Sequence, residues 1–193
     1  GRLKGLGTNN LKGKAFVTSG LGGMSGAQAK ALIVTGATGI IAEVDHDAIR
    51  QRIADHYIRE EDVFTDLDSM LTQFVKSKNA EEARCFVYQG NIVEVWEKLV
   101  FRHIHIELGS DQTSCHNIDH LGYCPVECTF EEAKALMDDD KEGFDQAIKR
   151  SLRRHVDAIN VMCSRGMYFW DYGNAFLFEA ARAGADIMDP HKP

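Results

Sequence analysis

The chain has 193 residues, 44% of them hydrophobic and 26% charged, with 22 Lys and Arg against 29 Asp and Glu for a formal charge of −7. That length suffices for one domain with a sizeable core. The acidic balance excludes a general nucleic-acid or anionic-membrane surface, which needs clustered positive charge. No apolar run approaches the roughly 20 residues of a membrane span. Five scattered cysteines, Cys85, Cys115, Cys124, Cys128 and Cys163, are an odd number and suit reduced thiols in a cytoplasmic protein better than a disulfide framework. The opening Gly1-Arg2-Leu3-Lys4 carries no initiator Met and no secretory leader, as expected of a piece of a longer polypeptide.

Short apolar runs alternate with helical patterns, the order expected of βαβ units on a mostly parallel sheet. Residues 15–19 predict a first strand, followed by a glycine-rich turn and a helix over 27–37. Residues 39–44 read as the second strand, with Glu43 near its end. Residues 48–58 and 67–75 have helical spacing. Residues 85–88 predict a third strand, and Gly90-Asn91 opens a helix through Val93, Trp96 and Val100. Residues 103–108 alternate polar and apolar side chains, which predicts a fourth strand. Thr129 and Glu132 stand in capping-box spacing ahead of a helix. Phe144, Ile148, Leu152, Val156 and Ile159 then mark one face of a long amphipathic helix. Residues 167–170 form a last strand and 175–183 a last helix. Five strands, each followed by a turn and helix, predict an α/β, three-layer, doubly wound domain spanning 1–193.

Gly20-Leu21-Gly22-Gly23-Met24-Ser25-Gly26 falls where the first strand should meet the first helix. Glycines permit a sharp turn and close approach to a pyrophosphate, and a helix start offers free N–H groups and the positive end of a dipole. Glu43, about 20 residues on, can accept hydrogen bonds from ribose hydroxyls and would repel a 2′-phosphate, which points to NAD rather than NADP. The glycine spacing is G-x-G-x-x-x-G, one residue longer than the common fingerprint.

After the fourth expected strand comes Gly109-Ser110-Asp111-Gln112-Thr113-Ser114-Cys115-His116. Loops at the carboxyl ends of such strands form the ligand crevice, so contact with a bound cofactor is the leading use of this polar segment. Two other chemistries share its residues. Cys115 beside His116 suggests an activated thiolate, although neighbours on an extended segment point opposite ways. Cys115, His116, His120, Cys124 and Cys128 suggest zinc, although Gly122 and Pro125 interrupt any helix that would array them. Asp171, Tyr172 and Asn174 after the last strand, and Gly90-Asn91 after the third, are further crevice candidates. Phe169 and Trp170 read as core, and His103 and His105 as structural or exposed.

Three segments resemble the urocanase family in the same order: residues 18–28 (TSGLGGMSGAQ), 109–116 (GSDQTSCH) and 169–175 (FWDYGNA). The resemblance covers essentially the whole chain and implies the Rossmann-like NAD-binding domain of a longer, homodimeric, cytoplasmic enzyme. Carried over residue by residue, the family's cofactor contacts fall on Gly23, Met24, Ser25, Glu43, Asn91, Ile92, Gln112, Thr113, Ser114, Cys115, His116, Tyr123, Cys124 and Tyr172. The implied activity is the addition of water to urocanate in histidine breakdown, with oxidised nicotinamide acting as an electrophile and no net redox change. The family's reactive cysteine belongs to a motif absent from these residues, so no catalytic residue is carried over. The family usually reads Asn-Pro-x-x-Gly-Gly-Tyr-Tyr-Pro where this chain has Asn117-Ile118-Asp119-His120-Leu121-Gly122-Tyr123-Cys124-Pro125. An NAD-dependent dehydrogenase and a non-catalytic NAD-binding module are the rival functions for the same motifs.

Overall fold

The computed structural model describes residues 10–187; the opening Gly1-Arg2 stretch, Pro190 and Pro193 lie outside the described residues. Along the chain run β1 (Ala15–Ser19), α1 (Ala27–Thr35), β2 (Thr38–Glu43), α2 (His46–Ala54), β3 (Val63–Phe64), α3 (Leu67–Asn79), β4 (Arg84–Gln89), α4 (Ile92–Phe101), β5 (Leu108–Asp111), α5 (Phe130–Asp139), α6 (Lys141–Ser164), β6 (Tyr168–Asp171) and α7 (Phe176–Arg182). Single 3-10 turns occupy Glu60–Asp62 and Cys115–His120.

The strands form one sheet in the order β3-β4-β2-β1-β5-β6, and every pairing is parallel. β1 and β5 are buried throughout and β2 and β4 nearly so, because helices cover both faces and leave no solvent side for polar alternation. Two separate apolar clusters mark those faces. Ala29, Leu32 and Ile49 from α1 and α2 pack on Phe16, Ile41, Val87 and Leu108. Phe74, Trp96 and Leu152 from α3, α4 and α6 share the other cluster with Val17, Ile40 and Phe86. The three-layer, doubly wound expectation holds, with an all-parallel sheet.

The strand expected at 103–108 is displaced. After α4 the chain closes with His103 N–H donating to Val100 O and Ile104 N–H to Leu99 O, and His103 sits at φ +52. These helix-end bonds occupy the backbone groups that a sheet ladder would need. The strand therefore starts at Leu108 and takes in Gly109, Ser110 and Asp111, the first residues of the expected loop. His103 and His105 are exposed in the connection. A sixth strand, the two-residue β3 on the sheet edge, carried no periodic signal. The helix expected over 48–58 stops at Ala54, and His56 turns left-handed at φ +56. The capping box at Thr129 forms as expected: its hydroxyl oxygen accepts the Glu132 N–H and the Glu132 carboxylate accepts the Thr129 N–H.

From β1 the chain builds outward through β2 and β4 on one side, then crosses back to place β5 on the other. The order of strand addition reverses beside β1, and there the carboxyl ends of neighbouring strands open a crevice.

Candidate functional site

A cleft of about 240 Å³ lies at this reversal. Its walls come from the ends of β1 and β2, the glycine loop, the Gly90-Asn91 turn, and residues 112–114 and 121–124. None of its lining residues is Lys, Arg or His, whereas Glu43 and Asp45 both belong to it.

The glycine loop shapes the first wall. Gly20 has φ +88, and a Cβ there would lie 2.9 Å from the Gln112 carbonyl oxygen. A side chain would thus combine left-handed strain with a backbone clash between the two walls. At Gly26 a Cβ would come within 2.8 Å of Arg52 Cδ, so this glycine lets α1 and α2 approach. Gly26 is also the N-cap of α1 and brings no capping side chain, unlike Asp45, Asp66, Asn91, Thr129 and Asp140 at the starts of α2 to α6. Gln28 and Ala29 N–H donate to the Ser25 and Gly26 carbonyls, so what the helix start offers an anion is the Ala27 N–H, the loop N–H groups just before it and the positive end of the helix dipole.

Glu43 holds this wall together. Its Oε2 accepts the Leu21 N–H at 2.6 Å and its Oε1 accepts the Asp45 N–H at 2.9 Å. Burial pushes its carboxyl up from the usual range, and those two backbone bonds pull it the other way. Each carboxylate oxygen retains a second lone pair, so ribose hydroxyls can still be accepted.

The opposite wall is held by side chains. Asp111, fully buried, accepts Ser19 Oγ–H at 2.6 Å, Thr113 N–H at 3.0 Å, Thr113 Oγ1–H at 2.5 Å and Asn174 Nδ2–H at 2.9 Å. Asn174 also donates to the Thr113 carbonyl, and its own carbonyl accepts the His116 N–H. Asn91 caps α4 by accepting the Val93 N–H and donates to the Cys124 carbonyl, clamping residues 121–124 onto the cleft. Within this network Gln112 Nε2 is buried and has no partner. Asn174 Oδ1 is a second buried atom of this network without a partner, and such orphaned polar atoms are costly.

Nine of the fourteen site residues carried over from the family meet in the cleft: Ser25, Glu43, Asn91, Ile92, Gln112, Thr113, Ser114, Tyr123 and Cys124. Five do not line it. Gly23 and Met24 are on the exposed crest of the glycine loop, Met24 being 93% exposed. Cys115 and His116 line a separate polar cavity behind the loop, with Asp145, Lys149 and Glu179. Tyr172 lies beyond the sheet edge against Trp170 and is half exposed. Phe169 and Trp170, expected in the core, are only partly buried.

Segment 115–120 is a 3-10 turn rather than extended chain, and it buries Cys115 while exposing His116. The Cys115 thiol contacts Thr113 Oγ1 at 3.1 Å, and burial followed by the Asp111 charge pushes it up, away from thiolate. Burial likewise pushes the Cys124 thiol up to about 12. Among the described residues no group of three or more His, Cys, Asp or Glu side chains is arranged to hold a metal.

Ser19, Asp45, Leu121, Gly122 and Phe130 line the cleft without having been singled out as contacts. Only the fold shows why position 122 is glycine: a Cβ there would stand 2.2 Å from the Ser114 carbonyl oxygen. The family's other glycine is Leu121 here, and it keeps a left-handed φ of +59. The altered segment therefore still makes the turn, at the strain a side chain incurs there.

An open, uncapped helix start behind a glycine loop, an acid closing the second strand and a crevice at the strand reversal together define a Rossmann-like nucleotide-binding domain. The family model for the Urocanase Rossmann-like domain matches residues 2–191, and the chain belongs to that family. It is 49% identical over 97% of its length to a probable urocanate hydratase of Dictyostelium discoideum. It is 48% and 46% identical over 94% of its length to the urocanate hydratases of Mus musculus and Homo sapiens. The chain spans 28% of the first of these relatives and 27% of the other two.

Proposed function

We propose that this chain is the NAD⁺-binding domain of an enzyme that hydrates urocanate in histidine breakdown, a homodimeric cytoplasmic protein in its full form. One observation carries the cofactor reading: the glycine-loop residues Gly20, Gly22 and Ser25 just ahead of the uncapped α1, together with Glu43 and Gln112, line one cleft. The loop backbone, the Ala27 N–H and the positive end of the α1 dipole would hold the pyrophosphate, with no cationic side chain needed. Glu43 would accept from the adenosine ribose, and Gln112 to Ser114 would meet the other half of the dinucleotide beyond β1. Bound oxidised nicotinamide supplies an electron-accepting ring to a substrate. Leu121 to Cys124, pinned by Asn91, form part of the cleft wall. Groups that bind urocanate would come from regions present in the longer relatives, so the 193-residue chain alone is expected to be inactive.

Calorimetry tests the cofactor half. NAD⁺ should bind and NADP⁺ should bind far more weakly. Glu43→Ala should weaken NAD⁺ by roughly tenfold or more, the scale of a hydrogen bond to a charged group; unchanged affinity would remove the ribose role. Absorbance tests the activity in the full-length protein: urocanate should disappear with no growth of reduced nicotinamide. Growth of that band would support a dehydrogenase instead.

A further inference from the structure

We infer that Asp111 is a counter-charge built into the β5 wall for the cationic ring of an oxidised nicotinamide, an assignment that rests on the NAD⁺ reading above. Asp111 has no exposed surface, and it forms no ion pair among the described residues. Its four contacts all come from donors, from Ser19, Thr113 and Asn174, the pattern of a carboxylate that only accepts. Buried carboxylates are ordinarily balanced by a cation. The imidazole of His155, which feels the Asp111 charge, does not supply one: burial pulls it down to about 4, so it is neutral near pH 7. The other charges acting on this region from α7 and β6, Glu179 and Asp171, are also acids.

The carboxylate stands one hydrogen bond behind the cleft surface, since its partners Ser19 and Thr113 line it. Its field reaches the lining, because the Asp111 charge adds to burial in pushing the Tyr123 phenol up, while the weaker influence of the Arg154 charge pulls it the other way. Topology places the positive ring on this side. Glu43 ends β2 and marks the adenosine half, so a dinucleotide crossing β1 brings its other half over β5. With no cationic side chain in the lining, a ligand's own positive ring is the group that complements this carboxylate.

NAD⁺ and NADH differ by that ring charge, so their affinities for the 193-residue chain, measured by calorimetry, isolate the effect. Asp111→Asn keeps the shape and one accepting oxygen while removing the charge. It should weaken NAD⁺ about tenfold, the scale of a unit charge acting over several ångströms in partly solvated protein, and leave NADH within twofold. Asn174→Lys, which places a cation where the Asn174 amide meets Asp111, should shift the ratio the same way, and decides the matter if circular dichroism shows Asp111→Asn unfolded. Equal losses for the two forms, or no loss, would reduce Asp111 to a structural tie and overturn the counter-charge. Wild-type chain that binds neither form would instead overturn the NAD⁺ reading, and this assignment with it.

Discussion

On the β1–β2 side of the cleft the wall is made of backbone, and on the β5 side it is made of side chains. The glycine loop presents N–H groups at an uncapped helix start and is tied down mainly by one carboxylate, Glu43. Segment 112–124 is strung between polar groups: buried Asp111 and partly buried Asn174 at one end, buried Asn91 and the Tyr123–His155 pair at the other. A backbone wall suits a ligand part that is the same in every dinucleotide, because peptide groups recognise phosphate without distinguishing what hangs from it. A side-chain wall suits the part that differs, because its charge and shape can be set residue by residue. The difference also has a stability consequence, since a network of buried polar groups is costly when one member is disturbed.

The largest expected effect falls on the side-chain wall. His155 is fully buried, its Nδ1 is 3.3 Å from the Tyr123 hydroxyl and its Nε2 has no partner. Burial lowers it from 6.5 to about 4. Between those values the unfolded chain binds a proton that the folded chain does not, so stability rises with pH across the window and is lost as pH falls through it. Over the whole window this group contributes about 3 kcal/mol. Denaturant unfolding at pH 7 and pH 4 should show that loss in the wild type and a correspondingly smaller one in His155→Leu. Equal pH dependence in both would mean that the imidazole is not held neutral by the core.

Next comes Gly20, where the two walls meet. Gly20→Ala should cost about 2 kcal/mol from its φ of +88 and its contact with the Gln112 carbonyl, and should weaken NAD⁺ along with stability. Gly23→Ala meets nothing within 4 Å and should change unfolding by less than about 0.5 kcal/mol. If thermal unfolding shows the two variants alike, the glycine loop does not depend on close approach to the β5 wall. A smaller effect than at Gly20 is expected outside both walls. Asp66→Ala removes the cap of α3, none of whose residues lines the cleft, and should destabilise about half as much as Gly20→Ala with no change in nucleotide affinity; a change in affinity would show that α3 couples to the cleft.

Much of the backbone wall was legible in the residues. Gly20 to Gly26 and Glu43 announce their roles because a left-handed turn, a helix start and a strand-end acid each require particular residue types at short range. The side-chain wall was legible only as a polar segment. Asp111 reads as loop until helix-end bonding after α4 shifts the strand to Leu108–Asp111 and buries it. Likewise Cys115 and His116 read as neighbours in the crevice, whereas a 3-10 turn sends them behind the loop.

From sequence alone follow the layer order, the glycine turn, the caps at Asn91 and Thr129 and the family, because periodicity, capping and turn chemistry act within a few residues and long motifs persist as written. Tertiary structure alone decided which of the polar residues face the cleft, where β5 begins, and that Asp111 is buried without a cation. Those outcomes depend on pairing among β1, β5 and the chain after β6, across separations of 63 to 92 residues that no local pattern records.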